Sequence, residues 1–475
     1  MMNKIPYTIT KINEPIIHSL GKLKNPLSLF EKIKHLPYPV FLDSSLPHKT
    51  RGRYSFISAD PYLIMKHHNN KTIIFNDNFK EITYKSPFDT LNKLLLEHTN
   101  NLNKTNFPKE FQGGAIGFFS YDSGRLLENI PSIAKNDQNL PEILLGFYNW
   151  LIIHDNETYD TFITSTGAPN KTLRAANFQL NKILNLLKTS QILQNQKLFK
   201  YKIGPFKSNF TKTNYINSIN KIKNYLKAGD AYQVNLSQRF ESIFDGDPWS
   251  LYLTIRKQNP TNFSAFLDFP EITILSISPE QFMKINNDHI ESRPIKGTKI
   301  RSNTPAIDTE IAKTLFQSKK DRAENLMIVD LIRNDLAKIC IPGTIKVPEL
   351  FSLEKTSSVW HLVSSVIGQL RKDASISNVL EAAIPGGSIT GTPKIRSMQI
   401  IEELEPVRRN LYCGTIAFMP DNKTLNSNIV IRTITIQKEK LYLSLGGGIT
   451  FESNPEDEYK ETIAKGKSIL ESIQL

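Results

Sequence analysis

Cysteine is nearly absent: Cys340 and Cys413 are the two in 475 residues, and neither belongs to a CxxC pair. A disulfide framework is therefore excluded, and a reducing, cytoplasmic compartment is expected. Long apolar runs are missing as well. Stretches such as 150–153 and 272–277 fall far short of the ~20 residues that span a bilayer. The start, MMNKIPYTIT, has no apolar stretch and no small-residue cleavage site, so no secretory signal is expected. Internal repeats and strongly biased tails are also lacking. Acidic residues are in deficit, giving a net charge of +13. The excess lysines are scattered among asparagine and isoleucine, without an RNA-binding aromatic signature, zinc spacing or helix-turn-helix pattern. The charge reads as compositional bias, so no nucleic-acid and no membrane partner is expected. Basic residues that converge on a site suit a small anionic substrate.

What remains is a globular composition, 39% hydrophobic and 22% charged, with a real core. Residues 1–167 mix short strands and helices around Gly113-Gly114 and several prolines. Residues 168–212 are a helical connector rich in Asn, Lys and Leu, with a helix near 175–187. Residues 213–475 carry nearly all the informative positions. There Tyr215, Ile219, Ile222 and Leu226 recur at helical spacing, and Gly229 stands at a C-terminal cap. Strands are predicted over 232–240, 272–278, 411–418, 428–436 and 441–445, and helices over 308–317, 321–339, 393–404 and 455–473. Strand pairs on short turns with interspersed helices give an α+β class, antiparallel sheets with helices on their outer faces.

Several constellations can carry chemistry. In the last helix, Asn454 caps, Pro455 opens and three acids follow, which suits the helix dipole. Glu458, Glu461 and Lys465 then share one face. Asp321 and Glu324 form a second carboxylate pair, three apart on the helix of SKKDRAENLMIVDLIRND. Two such pairs make an all-oxygen site for Mg²⁺ if they meet; each alone is an ordinary solvated stripe. In IPGGSITGTPKIRSMQIIEELE, a glycine-rich loop opens a helix, with Thr392 as the expected cap. That arrangement is either an anion site or a structural turn, and it is not a nucleotide P-loop. Arg432 in NIVIRTITI alternates onto the face of Val430, Ile434 and Ile436, where it needs a carboxylate from the protein or from a substrate. Gly446, Gly447 and Gly448 are read as ending the next strand and admitting a ligand. Lys296, just after a strand in ESRPIKGT, is either an exposed turn residue or, if buried, a nucleophile.

Taken together, these segments resemble the chorismate-utilising enzymes, the family of anthranilate, aminodeoxychorismate, isochorismate and salicylate synthases. The resemblance covers roughly 213–472 and rests on DAYQVNLSQRF, SPEQF, SRPIKGT, DRAENLMIVDLIRNDL, PGGSITGTPK, YCGTIAF, IRTITI, GGGI and DEYKETIAKGK, in family order. It implies an anthranilate-synthase-like fold, two antiparallel sheets packed as a sandwich with helices outside. It implies Mg²⁺ bound directly by Glu324 and Glu461, with Asp321 and Glu458 reaching it through water. It places Tyr412, Arg432, the Gly448 backbone and Lys465 at the enolpyruvyl carboxylate of chorismate, Ser388 against the substrate, and His361 near the reacting carbons. Glu280 is the implied general acid and Lys296 the implied nucleophile.

Two positions separate the branches of the family. Isochorismate and salicylate synthases carry a water-activating lysine where this chain has Gln233, so the resemblance implies ammonia as the incoming group. Anthranilate synthases usually carry alanine where this chain has Lys296, and aminodeoxychorismate synthases carry lysine. Amination at carbon 4 is therefore the expected reaction, with anthranilate synthesis as the alternative and a non-catalytic chorismate or tryptophan sensor as a reading of another class. Neither cysteine sits in a glutaminase context, so a glutamine amidotransferase subunit is the expected ammonia source. No pyridoxal-dependent lyase segment is read in the chain, so pyruvate release is expected to need another enzyme. The stretch FLDSSLPHKTRGRYSFISADP resembles the family region that holds a tryptophan pocket, with Ser44 and Tyr54 as its candidates.

Overall fold

A computed structural model describes residues 11–12, 14–46, 51–98, 112–189, 201–356 and 359–473. Among the described residues the strands form two sheets, of 13 and 12 strands, built from antiparallel pairs. Both sheets draw strands from residues 1–167 and from 213–475. No helix among them is long and apolar enough to cross a membrane.

Alternation along the central strands sorts side chains into two cores. In Trp150–Asp155, Leu151 and Ile153 face the other sheet, while Trp150 and Ile152 face helices. Ile272–Ser278 does the same: Ile272 and Ile274 turn inward, Leu275 and Ile277 outward. Strands buried on both faces read as unbroken apolar runs, which is why these segments lack a polar alternation. The inter-sheet core is closed by contacts such as Phe56 with Phe418, ring centroids 5.1 Å apart. Each such side chain contributes about 1.5–3 kcal/mol on burial. Helices Leu27–Ile33, Leu173–Thr189, Pro248–Gln258 and Pro455–Ile473 cover the outer face of the larger sheet. Helices Pro87–His98, Lys319–Ala337 and Ile376–Ala383 cover that of the smaller one. This is the sandwich with outer helices that the sequence implied.

Four local readings are corrected. Residues 428–436 are not one strand: Thr424–Asn428 pairs with Gln281–Asn286 in one sheet, and Thr433–Gln437 pairs with Ile272–Ser278 in the other. The chain crosses between sheets there, and Arg432 sits at the crossing with φ 49°, so strict alternation does not set its direction. Gly446, Gly447 and Gly448 lie inside the strand Lys440–Ile449 and do not end it. Lys296 belongs to the strand Ile295–Ile300, held by pairing with Val359–Gln369. Thr392 caps no helix; it pairs with Gln233 in a two-residue strand, and Pro393 precedes the helix Lys394–Leu404.

Candidate active site

Lys296 is half-buried, and its Nζ donates to the Ser388 carbonyl at 2.8 Å. Burial holds its pKa below the ordinary lysine value, against the opposing pull of Glu324 and Glu280. Gly297 follows at φ +82°, and a Cβ there would lie 3.0 Å from both Asp321 Cβ and Leu315 Cδ1. Glycine at this position lets the helix carrying Asp321 and Glu324 lie directly on the lysine strand.

Glu280 joins two strands at the base of the site and is 4% exposed. Burial pushes its carboxyl up to about 7, although the Ser388 hydroxyl, Lys296, the Ile295 N–H and Arg432 all favour the ionised form. Ser388 thus contacts both groups, the lysine through its carbonyl and the glutamate through its hydroxyl. His361 stands opposite Thr298 in the strand register. Its Nδ1 lies 2.9 Å from Thr298 Oγ1, and its buried Nε2 has no partner among the described residues. Burial first, then Arg432, pushes its pKa down to about 3, so the imidazole is neutral at physiological pH. Arg432 has no ion pair within 4.0 Å among the described residues, and burial lowers its pKa despite Glu280.

The two carboxylate helices do meet. Lys320 Nζ lies 3.1 Å from Glu458 and 3.9 Å from Glu324. Glu458 also accepts from Ser453 Oγ at 2.6 Å. A Cβ on Gly447 would lie 3.5 Å from Glu458 Oε2, 3.5 Å from Lys465 Nζ and 3.8 Å from Glu461 Oε1, which sets those three groups over one glycine. Lys465 pairs with Glu461 at 2.8 Å and donates to the Gly446 carbonyl at 3.0 Å. Burial raises the Glu324 pKa, with Asp321 and Glu458 adding to it and Lys296 and Lys320 opposing. Burial would raise Glu461 too, but Lys465, Lys320 and Lys296 hold it below the ordinary value. Among the described residues, no three His, Cys, Asp or Glu side chains close as a metal-ligand set; the ammonium of Lys320 lies among these carboxylates.

Gln233 is fully buried. Its Nε2 faces Glu324 at 3.4 Å, and a Cβ at position 448 would fall 2.0 Å from that nitrogen. Gly448 therefore makes room for Gln233. Tyr412 lies against Arg409, 5.9 Å from the guanidinium to the ring centroid, and lines a cavity with Arg239, Thr433, Tyr442 and Ser444. Ser44 is elsewhere, its hydroxyl donating to the Tyr54 carbonyl at 3.1 Å or the Asn262 carbonyl at 3.3 Å. The Tyr54 ring packs under the Arg53 guanidinium at 5.0 Å.

Three contributions escaped the sequence reading. Asn235 Nδ2 donates to the same Ser388 carbonyl that Lys296 uses, at 3.0 Å; it stands two residues from Gln233, so strand periodicity could have flagged it. Lys320 is one helical turn from Glu324, a spacing that reads as a routine surface pair. Arg409, buried and paired with Glu405 at 2.7 Å, donates to the Ile389 carbonyl at 2.9 Å and the Asn235 carbonyl at 3.1 Å. It clamps the turn that carries Ser388, and no local signal in the sequence marks it.

A half-buried lysine and a carboxyl that burial raises to about 7, with an arginine that has no ion pair among the described residues and carboxylates from two helices, suit an enzyme for a small anionic substrate. The chain belongs to the chorismate binding enzyme family, which matches residues 41–471. It is 38% identical over 445 residues to aminodeoxychorismate synthase component 1 of Escherichia coli (strain K12), covering 94% of this chain and 95% of that one. It is 31% identical over 465 residues to anthranilate synthase component 1 of Aquifex aeolicus (strain VF5), covering 95% and 92%. The crystal structure of anthranilate synthase component I from Streptococcus pneumoniae TIGR4 superposes with a TM-score of 0.79 at 27% identity, covering 89% of this chain and 93% of that chain.

Proposed function

We propose that this chorismate-utilising enzyme is an aminodeoxychorismate synthase component 1, exchanging the ring hydroxyl of chorismate for an amino group at carbon 4. The observation that carries the reading is the Lys296 amine, hydrogen-bonded to Ser388 next to a Glu280 carboxyl whose pKa is about 7. A lysine depressed by burial reaches its neutral, nucleophilic form more readily, and a carboxyl poised near neutrality is suited to giving up a proton. Lys296 attacks carbon 2, both conjugated ring double bonds shift by one position, and the carbon 4 hydroxyl leaves with the Glu280 proton as water. Ammonia then attacks carbon 4, both double bonds shift back and Lys296 is expelled. The excess proton on the new amine returns to Glu280, so the net exchange is chorismate and ammonia for 4-amino-4-deoxychorismate and water. His361, neutral and with Nε2 free, lines the reacting carbons. Arg432, Tyr412, the Gly448 backbone and Lys465 receive the enolpyruvyl carboxylate.

The acidic residues fit Mg²⁺ by the chemistry of their donors. They offer only carboxylate oxygens, and Glu324 and Glu458 already flank an ammonium. Glu324 and Glu461 would hold the ion directly, Asp321 and Glu458 through water. Bound there, it would neutralise the ring carboxylate of chorismate. The name "component 1" on the relatives supports a partner subunit, read here as a glutamine amidotransferase that supplies ammonia.

Likeness to anthranilate synthase component 1 at 31% identity favours a second reading with a different product, and one assay separates the two. Purified chain is incubated with chorismate, Mg²⁺ and ammonium, and products are resolved by chromatography and mass spectrometry. A product that keeps the enolpyruvyl group and yields 4-aminobenzoate with an added lyase is expected. Anthranilate would establish the second reading.

A further inference from the structure

Lys320 stands in the first turn of the helix Lys319–Ala337 and reaches from it to the last helix, Pro455–Ile473. Its pairing with Glu324 has the i,i+4 spacing of a routine surface bridge. The other arm is not routine: Nζ lies 3.1 Å from Oε1 of Glu458, a carboxylate 138 residues away whose side chain is 4% exposed. Glu324 turns Oε1 toward Lys320 and Oε2 toward the Gln233 amide at 3.4 Å. Glu458 Oε1 takes the Ser453 hydroxyl as well as the ammonium. Glu461 is paired instead with Lys465 at 2.8 Å. The Lys320 side chain is 44% exposed, whereas that of Glu324 is 12% exposed. The carboxylates are thus held in place, and the cation comes to them from the surface on a flexible stem. Buried carboxylates left without a cation are strongly destabilising, so something positive must stand between these helices whether or not a metal is bound.

We propose that Lys320 is a tethered counter-ion that Mg²⁺ must displace, so that this side chain sets the affinity of the chain for the metal. The inference rests on the Mg²⁺ reading above and adds to it a competitor built into the chain. Glu324 Oε1, the oxygen that Gln233 leaves open, is the one that faces the ammonium. An ion held by Glu324, and through water by Glu458, draws on the same two carboxylates that Lys320 bridges, and its charge repels the ammonium. The lysine can yield because its stem already lies half in solvent, where the ammonium recovers its hydration. In the metal-free chain Lys320 joins the two helices; in the metal-bound chain that task passes to the ion.

The test is Lys320→Met, which keeps the stem and removes the charge, with Lys320→Arg as a second variant that keeps a cation. Mg²⁺ binding to the whole chain is measured by isothermal titration calorimetry without chorismate, and melting is followed with a chelator and again at saturating Mg²⁺. The Met variant should bind Mg²⁺ about five- to tenfold more tightly than the parent, the size of a modest coupling between two sites, and the Arg variant should stay near the parent. Linkage requires the same factor to appear as lost stability. The Met variant should therefore melt below the parent with chelator and together with it at saturating Mg²⁺. An unchanged Mg²⁺ affinity, or a melting deficit that persists undiminished at saturating Mg²⁺, overturns the displacement and leaves Lys320 as a permanent bridge between the helices. Absence of Mg²⁺ binding in parent and Met variant alike overturns the metal reading itself, and the proposal falls with it.

Discussion

The neighbourhood of Ser44 and the neighbourhood of Lys296 are both rich in polar side chains, yet they handle them in opposite ways. Near Ser44, the Ser44 N–H meets Ser55 Oγ at 3.2 Å, Ser45 Oγ meets the Thr261 carbonyl at 3.1 Å, and Thr261 Oγ1 meets Ser264 Oγ at 2.7 Å. Asn262 donates to the Arg51 carbonyl at 3.2 Å. These groups satisfy one another, as buried polar groups ordinarily do. Near Lys296, Gln233 Oε1, Asn235 Oδ1 and His361 Nε2 are buried without partners among the described residues, and two carboxylate helices converge on a few ammonium groups. The first region is a joint between the N-terminal strands and the body of the larger sheet. The second holds its groups in readiness for something else, at a cost to stability that a joint has no reason to carry.

The largest expected effect is therefore at the lysine. Lys296→Ala should lower amination at carbon 4 by on the order of 10⁴-fold or more, in the manner of a lost nucleophile. The Ser388 carbonyl would lose one donor and keep Asn235, so the fold should survive. Turnover within tenfold of the parent would remove Lys296 from the covalent role.

Next comes Glu280→Gln, expected to cost roughly 10²–10⁴-fold in kcat. It also carries a pH signature. The proton on Glu280 is lost as pH rises through about 7, so activity should fall on that limb in the parent and show no such limb in the residual rate of the variant. Stability moves the same way. The folded value lies above the ordinary 4.5, so the unfolded chain binds fewer protons between the two values. The contribution of this group is present at low pH and is lost as pH climbs from about 4.5 to about 7. The melting temperature of the variant should thus gain on the parent across that window. Parallel melting curves would show that Glu280 is not held protonated by its surroundings.

The sharpest difference between what could and could not be read beforehand lies in how far each signal reaches along the chain. The helix Pro455–Ile473 was legible to its ends, because Asn454 Oδ1 accepts from the Glu456 and Asp457 N–H groups at 2.9 and 3.3 Å and three acids follow. Gly229, at φ 85°, closes Lys212–Ala228 as expected. The strand Ile272–Ser278 was read at its true length, since turn residues bound it on both sides. Residues 428–436 defeated the same logic. An apolar run that leaves one sheet and enters another keeps its composition through the crossing, and only the pairing partners reveal the break. The site was legible as separate motifs carrying Lys296, Glu280, Gln233 and the two carboxylate pairs. Its braces were not: Arg409 acts through backbone carbonyls of Ile389 and Asn235, and a backbone acceptor leaves no mark on residue identity.

The smallest effect tests the satisfied region on its own terms. If the Ser44–Tyr54 segment holds tryptophan, the amino acid must displace bonds already made, since the Ser44 hydroxyl is committed to the Tyr54 and Asn262 carbonyls. Binding should then be weak, with a Kd near the millimolar range. At about 1 mM tryptophan the linkage amounts to about 0.4 kcal/mol, or a rise in Tm of about 0.4 °C for a chain of this size. Ser44→Leu, whose larger side chain would crowd Gly52 and the Asn262 carbonyl, should abolish the rise. A shift of several degrees would mean that the region opens readily and that its internal bonds are a resting state, which would bring it closer in kind to the lysine site. No shift at any concentration would leave it a joint, and the contrast with Lys296 would stand undiluted.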